Sequence, residues 1–181
     1  MKFAGILKDD IADSLDGVSV SFWCQGCPFK CKGCQNPHTW DDEGGYELPK
    51  DYVEKVISLL TEDNITRNLS ILGGEPFYKT NKEIVLNLIK GVRNASPQSK
   101  IYIWTGFTLT ELLSGDADNS GEDLARQILC QIDYLIDGRF EEKLKTKDLP
   151  LRGSSNQFLY KNNNKDNPNI EENFEKVETL I

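Results

Sequence analysis

Residues 23–36 read WCQGCPFKCKGCQN and hold four of the chain's five cysteines, Cys24, Cys27, Cys31 and Cys34. Thiols this dense are a chemical device rather than an accident of composition. They can close around a zinc ion, carry an electron-transfer cluster or pair as disulfides. In a fourth arrangement only three of them bind metal, and one coordination position stays open for chemistry. The spacing is C-x2-C-x3-C-x2-C. Structural zinc sites pair two C-x2-C knuckles across a dozen or more residues, so that two loops can meet around a tetrahedral ion. The three-residue gap here is too tight for that. The bacterial ferredoxin run, C-x2-C-x2-C-x3-C-P, differs in order and needs a proline after its last cysteine, where this chain has Gln35.

The compartment bears on the same choice. The chain has 181 residues, 38% hydrophobic and 28% charged, which is ordinary for a soluble globular protein and enough for one buried core. No apolar run is long enough to span a membrane, and the N-terminal MKFAGILKDDIADSL carries acids where a signal peptide needs an apolar centre. A cytoplasmic location is expected, and reduced thiols there disfavour disulfides. Net charge is −8, with no stretch that interleaves basic and aromatic residues, so neither nucleic acid nor membrane is expected as a partner. The acidic stretches DNITRNL, GDADNSGED and EENFE read as solvated surface. With neither a P-loop nor a G-x-G-x-x-G, the chain offers no support for a nucleotide triphosphate or dinucleotide site.

Outward from the cysteines, the hydrophobic pattern alternates. VSVSFW (18–23) is β-branched and aromatic and predicts a strand that runs directly into the cysteine loop. Residues 50–62 place Tyr52, Val53, Val56, Ile57, Leu59 and Leu60 on one helical face behind Pro49. Strands follow at 68–72, 100–104 and 133–137, with helices at 80–94, from about Thr108 or Thr110, and at 121–132. QFLY (157–160) is a possible fifth strand. A strand–helix repeat of about thirty residues is the pattern of parallel βαβ units. The expected fold is therefore α/β in one domain, residues 1–181, with an open sheet or partial (β/α) barrel, mostly parallel, and helices outside. Four or five strands are too few for a closed eight-stranded barrel. The turn-rich KNNNKDNPN predicts that 161–181 is a peripheral segment, helical or loose. The cysteine loop, Gly73-Gly74-Glu75-Pro76, Thr105-Gly106 and Asp137-Gly138 each follow a strand, so all four are expected at the carboxyl edge of the sheet, where such folds bind ligands.

Without Cys24 the cysteines read C-x3-C-x2-C, and this motif resembles that of the radical S-adenosylmethionine (SAM) enzymes. FWCQGCPFKCKGCQNPHTWD and LGGEP (72–76) are similar to the opening and second motifs of the glycyl-radical-enzyme activases. IYIWTGFTLTELL, YLIDGRFEEKLKTKDLPLRGSSNQ and the short length resemble the activases of anaerobic, class III ribonucleoside-triphosphate reductases, with RGSSNQ (152–157) the most discriminating piece. The likeness runs from about residue 15 to about 160.

That resemblance implies a partial barrel of the radical SAM type. It also implies a 4Fe–4S cluster held by Cys27, Cys31 and Cys34, with one iron left to SAM. Gly33 and Gln35 would flank SAM beside the last cysteine, and Gly73, Gly74 and Glu75 would meet its methionine amino group. Thr105 and Asp137 would touch it from strand ends, and Arg139 would pair with its carboxylate. The implied reaction is reductive cleavage of SAM and formation of a glycyl radical on the large subunit of an anaerobic ribonucleoside-triphosphate reductase. An electron donor such as flavodoxin would supply the reducing equivalent. Alternatives are activation of another glycyl radical enzyme, such as pyruvate formate-lyase, or a non-catalytic zinc or electron-transfer protein. Family members commonly carry an aromatic residue before the last cysteine; Gly33 stands there instead, as in many reductase activases, and leaves open what packs on the adenine.

Several residues have plainer readings. Cys24 ends an apolar strand and reads as a small buried residue rather than a fourth ligand. Cys130, inside ARQILCQI, reads as core, as do Trp40 and Trp104. His38, the only histidine, reads as a surface residue near the cluster mouth. Lys30 and Lys32 lie inside the cysteine loop, either facing solvent or tuning the site.

Overall fold

Alternation along the central strands puts two kinds of surface back to back. Val20, Phe22 and Cys24 join Leu69, Ile71, Ile101, Ile103 and Leu135 in one apolar core. The intervening Ser19, Ser21, Ser70 and Tyr102 are just as buried but polar. In the computed structural model, which describes residues 1–79, 81–115, 124–165, 167 and 170–178, those strands are the middle of one eight-stranded open sheet. The strands are β1 (Lys2–Asp10), β2 (Ser19–Cys24), β3 (Tyr46–Glu47), β4 (Asn68–Gly73), β5 (Ile101–Trp104), β6 (Tyr134–Asp137), β7 (Phe158–Asn162) and β8 (Phe174–Lys176). Their order is β3-β1-β2-β4-β5-β6-β7-β8.

The predicted βα rhythm forms the centre. β2, β4, β5 and β6 pair in parallel. They are connected through α1 (Tyr52–Thr61), α2 (Asn81–Ala95), and α3 (Leu109–Ser114) with α4 (Leu124–Leu129). Each helix turns its apolar stripe to the same core, with Val56 and Leu60, Ile84 to Val92, Leu112, and Leu124 to Leu129 among its members. Thr108 starts α3 with a capping box, its hydroxyl accepting from Glu111 N while Glu111 Oε2 accepts from Thr108 N, and Gly115 ends the helix at φ +81°. Residues 121–123 of the fourth predicted helix and most of GDADNSGED lie outside the described residues.

Three expectations need correction. The sheet is not mostly parallel: β1, β3, β7 and β8 all pair antiparallel, so three of the seven strand pairings are parallel. The final segment contributes β8 to the sheet edge beside β7, rather than a helix or a loose tail alone. In DNITRNL, Arg67 is fully buried, its guanidinium satisfied by Asp9 Oδ1 at 2.6 Å and by the carbonyls of Leu59, Glu62 and Ile65. In EENFE, Asn173 is buried as well.

The polar face of the central strands is closed by Asp10 at the end of β1 and by the segment after it. Ser19 Oγ donates to Asp10 O, Ser21 Oγ to Asp10 Oδ2, Ser70 Oγ to Asp13 O and Tyr102 OH to Asp16 Oδ1. Buried hydroxyls need such partners, and a loop rather than a helix supplies them. This leaves the carboxyl edge of the parallel strands uncovered.

Candidate metal and cofactor site

At that edge a cavity of about 350 Å³ opens to solvent. The cysteine loop, the Gly-Gly-Glu turn, the Thr-Gly turn and the Asp-Gly turn all reach it, as the strand–turn pattern predicts. Of the residues singled out in the sequence, Cys27, Cys31, Cys34, Gln35, Gly73, Gly74, Glu75 and Thr105 line it. Gly33, Asp137 and Arg139 do not.

The cysteine loop is held in place by backbone. Gly26 N donates to Thr39 O at 2.8 Å and Cys27 N to Trp40 O at 3.1 Å, which folds the PHTW segment behind the loop. On the other side Gly74 N donates to Cys24 O at 2.9 Å and Glu75 N to Gly26 O at 2.8 Å. The chain thus continues the β2–β4 pairing past the last sheet residue. Buried Asn81 completes the clamp, its Nδ2 donating to Gln25 O at 2.8 Å and to Glu75 O at 2.9 Å. Gln25 Nε2 in turn donates to His38 O and Asp41 O.

Gly74 is required by this approach: a Cβ there would stand 2.4 Å from Gly26 O, a distance that no side chain survives. Gly106 plays the same part on the opposite wall, since a Cβ would meet the ring of Phe29 at 2.4 Å. Phe29, from the middle of the cysteine loop, also packs edge-on against Phe107 at 4.8 Å and lies under the Arg139 guanidinium at 4.5 Å. The cysteine loop is therefore docked on the Thr105-Gly106 turn through one aromatic side chain.

Glu75 joins the two walls. Its carboxylate is buried and accepts from Phe77 N, Thr105 Oγ1 and Gly106 N. Asp137 is buried beside the cavity rather than in it, accepting from Leu109 N at 2.7 Å and Phe158 N at 3.3 Å, and burial raises its carboxyl above the usual range. Arg139 is exposed and pairs with Glu111 at 3.3 Å. Gly33 is exposed at φ +76°, turned toward the Glu142 side chain.

The thiols differ as their surroundings do. Cys24 is 2% exposed within the apolar core, and burial pushes its thiol far above the ordinary range. Burial also lifts Cys27 to about 11 and raises Cys31, while Cys34 Sγ accepts from Asn36 N at 3.3 Å. Among the described residues no three acidic, histidine or cysteine side chains are drawn into a preformed metal site. Three thiols lining one cavity are nevertheless a soft donor set suited to iron–sulfur ligation, and metal binding would release their protons.

Arg152, Gly153 and Gln157 of the RGSSNQ segment also line the cavity, as do Asp13, Trp23, Trp104 and Leu151, which were not assigned to the site from the sequence. Trp104 is a cavity wall, not a core residue, and its Nε1 donates to Leu151 O at 2.8 Å. Trp23 and Trp104 continue the polar face of β2 and β5, so the period-two pattern holds the signal for both. Nothing in the sequence marks Asp13. His38 is exposed, as expected.

Fold and cavity together define an α/β protein with three thiols at the carboxyl edge of its parallel strands. The family profile described as a 4Fe-4S single cluster domain matches residues 16–160. An anaerobic ribonucleoside-triphosphate reductase-activating protein of Vibrio cholerae is 34% identical over 146 residues, 80% of this chain and 88% of the relative. Proteins of the same description from Pasteurella multocida (32% over 162 residues, 89% and 98%) and Enterobacteria phage T4 (34% over 147 residues, 81% and 85%) are comparably similar. The chain belongs to the family of anaerobic ribonucleoside-triphosphate reductase-activating proteins.

Proposed function

We propose that this chain activates an anaerobic ribonucleoside-triphosphate reductase as a radical SAM enzyme, with Cys27, Cys31 and Cys34 holding a 4Fe–4S cluster. The supporting observation is that these three thiols and the Gly73-Gly74-Glu75 turn line one cavity, while the fourth neighbouring thiol, Cys24, is turned into the core. When bound, the cluster would supply one electron to the SAM sulfonium, releasing methionine and a 5′-deoxyadenosyl radical that takes a hydrogen atom from a glycine Cα of the partner. In this reading the open sheet is the partial (β/α) barrel of that enzyme class.

The chain's own residues would orient and shield. Gln35, Gly73, Gly74 and Thr105 present themselves to SAM along the cavity wall. Glu75 fixes the Thr105-Gly106 turn from beneath. Asp137 holds the start of α3 through Leu109 N, and Arg139 steadies Phe29, so both act on the site from outside its lining. Gly33 lets the loop turn between the last two ligands. The physiological setting would be the cytoplasm, where these thiols stay reduced; among the described residues no helix is long and apolar enough to cross a membrane.

The test mixes anaerobically reconstituted, reduced protein with SAM and either the anaerobic reductase or pyruvate formate-lyase. A glycyl-radical doublet on the reductase is the expected result. A doublet only on pyruvate formate-lyase would assign the chain to another activase class.

A further inference from the structure

Charge is unevenly distributed on this acidic chain. Six exposed basic residues, Lys30, Lys32, Arg139, Lys143, Lys145 and Lys147, fall in residues 29–35 and 139–148 with three acidic ones, Glu141, Glu142 and Asp148. Against a total of 21 basic and 29 acidic residues, the rest of the chain holds 15 and 26. A local excess of three positive charges therefore stands on a body carrying eleven negative ones.

The two segments form one surface. Lys32 pairs with Glu142 at 3.2 Å, and Arg139 covers the Phe29 ring. Lys145 bridges to Ser154, and Thr146 N donates to Gly153 O, beside the cavity-lining Arg152 and Gly153. Glu142 answers Lys32 and Glu111 answers Arg139, but Lys30, Lys143, Lys145 and Lys147 have no ion pair among the described residues. Between Lys143 and Lys145 in the chain, Leu144 is 40% exposed and offers an apolar contact.

We propose that this rim is the docking face for an acidic one-electron donor protein. The inference rests on the reading of the cavity as a cluster site. None of the six basic side chains lines the cavity, whereas the thiols of the same loop do. A protein seated on the rim lies against the cysteine loop, whose thiols line the cavity, and against Phe140, so an electron can cross to a centre held there without the docked protein entering the chamber. The donor's cofactor loses one electron, the iron–sulfur centre gains it, and no covalent bond is made or broken. Complementary charge steers such an encounter and makes it sensitive to salt.

The experiment uses flavodoxin as the acidic probe and the reconstituted chain. Iron and sulfide content, and photoreduction by deazaflavin, are measured first in every variant. Reversal at Lys143, Lys145 and Lys147 (each →Glu) is expected to raise the flavodoxin Kd about tenfold or more and to flatten its salt dependence. Reduction of the cluster by flavodoxin should slow accordingly, while deazaflavin reduction is unchanged. The same three positions as Gln give a smaller effect in the same direction and serve if the reversal variant is unstable. Three matched reversals at Lys50, Lys90 and Lys161 are expected to change the Kd little. Unchanged flavodoxin binding in the rim variants, an equal loss in the matched set, or loss of reductase binding alone would each overturn the proposal. A native chain that takes up no cluster would overturn the underlying reading as well, which the iron and sulfide assay separates from failure of the docking face.

Discussion

Glu75 and Thr105 meet through a 2.8 Å hydrogen bond from the threonine hydroxyl to Oε1 of a buried carboxylate. Phe77 N donates to the same oxygen at 2.9 Å, and Gly106 N to Oε2 at 2.7 Å. The acid of the GGEP segment thereby ties the turns after β4 and β5 together. Replacing Glu75 by Gln turns an amide N–H₂ toward at least one backbone donor. The expected cost is about 1–3 kcal/mol, read as a lowered denaturant midpoint with an unchanged m-value.

Asn81 supplies the matching clamp on the cysteine loop. Asn81→Leu keeps the volume but strands the carbonyls of Gln25 and Glu75 without their donor. A loss of about 2 kcal/mol is expected from the unsatisfied groups. Iron retention after gel filtration should fall below that of a core variant of equal stability loss, such as Val92→Ala. Equal retention would show that the clamp supports the fold but not the loop.

Two glycines give opposite expectations. At Gly74 a Cβ collides with backbone, which cannot rotate away, so Gly74→Ala is expected to cost several kcal/mol or to prevent folding. At Gly115 the space is open and only φ +81° opposes a side chain, so Gly115→Ala should cost about 1 kcal/mol. Thermal melts of the two variants distinguish a steric from a conformational requirement.

Asp13 predicts a pH dependence. Burial, then its contact with Asp10, pushes its carboxyl up to about 7. Burial also acts on Asp10, but hydrogen bonds from Ala12 N, Ser21 and Asp13 outweigh it and hold that group low. The folded chain therefore keeps a proton on Asp13 that the unfolded chain releases near the ordinary aspartate value of 3.8. This contribution is fully present below about pH 4 and is lost as pH rises through about 7. Asp10 acts in the opposite sense only at the acid end. Asp13→Asn should remove, on the order of 1 kcal/mol after solvent screening, the extra fall in native stability between pH 4.5 and 7.5. Parallel stability curves for the two proteins across that range would contradict the assignment.

Much of this was legible in the residues, and the limits are physical. Parallel strands buried on both faces leave apolar runs such as NLSIL and KIYIW, and crossover helices leave a 3.6-residue period, so the centre of the sheet reads directly. β1 does not, because KFAGILKDD mixes buried, half-buried and exposed positions with acids at its end. β3 and β8, of two and three residues, are too short for any period to develop. At the site, Cys27, Cys31, Cys34 and the Gly-Gly-Glu turn stand out because cysteine and glycine are chemically distinctive. Phe29 and Asn81 do not, since their roles exist only once distant turns are brought together.

The central claim is that three thiols hold the cluster and Cys24 does not. The most direct measurement is EPR of the reduced, anaerobically reconstituted protein with and without SAM, in Cys24→Ala and Cys31→Ala. The account predicts a four-iron signal that changes when SAM is added, persists in Cys24→Ala and disappears in Cys31→Ala. A colourless protein holding one zinc ion, lost with any of the four cysteines, would contradict it.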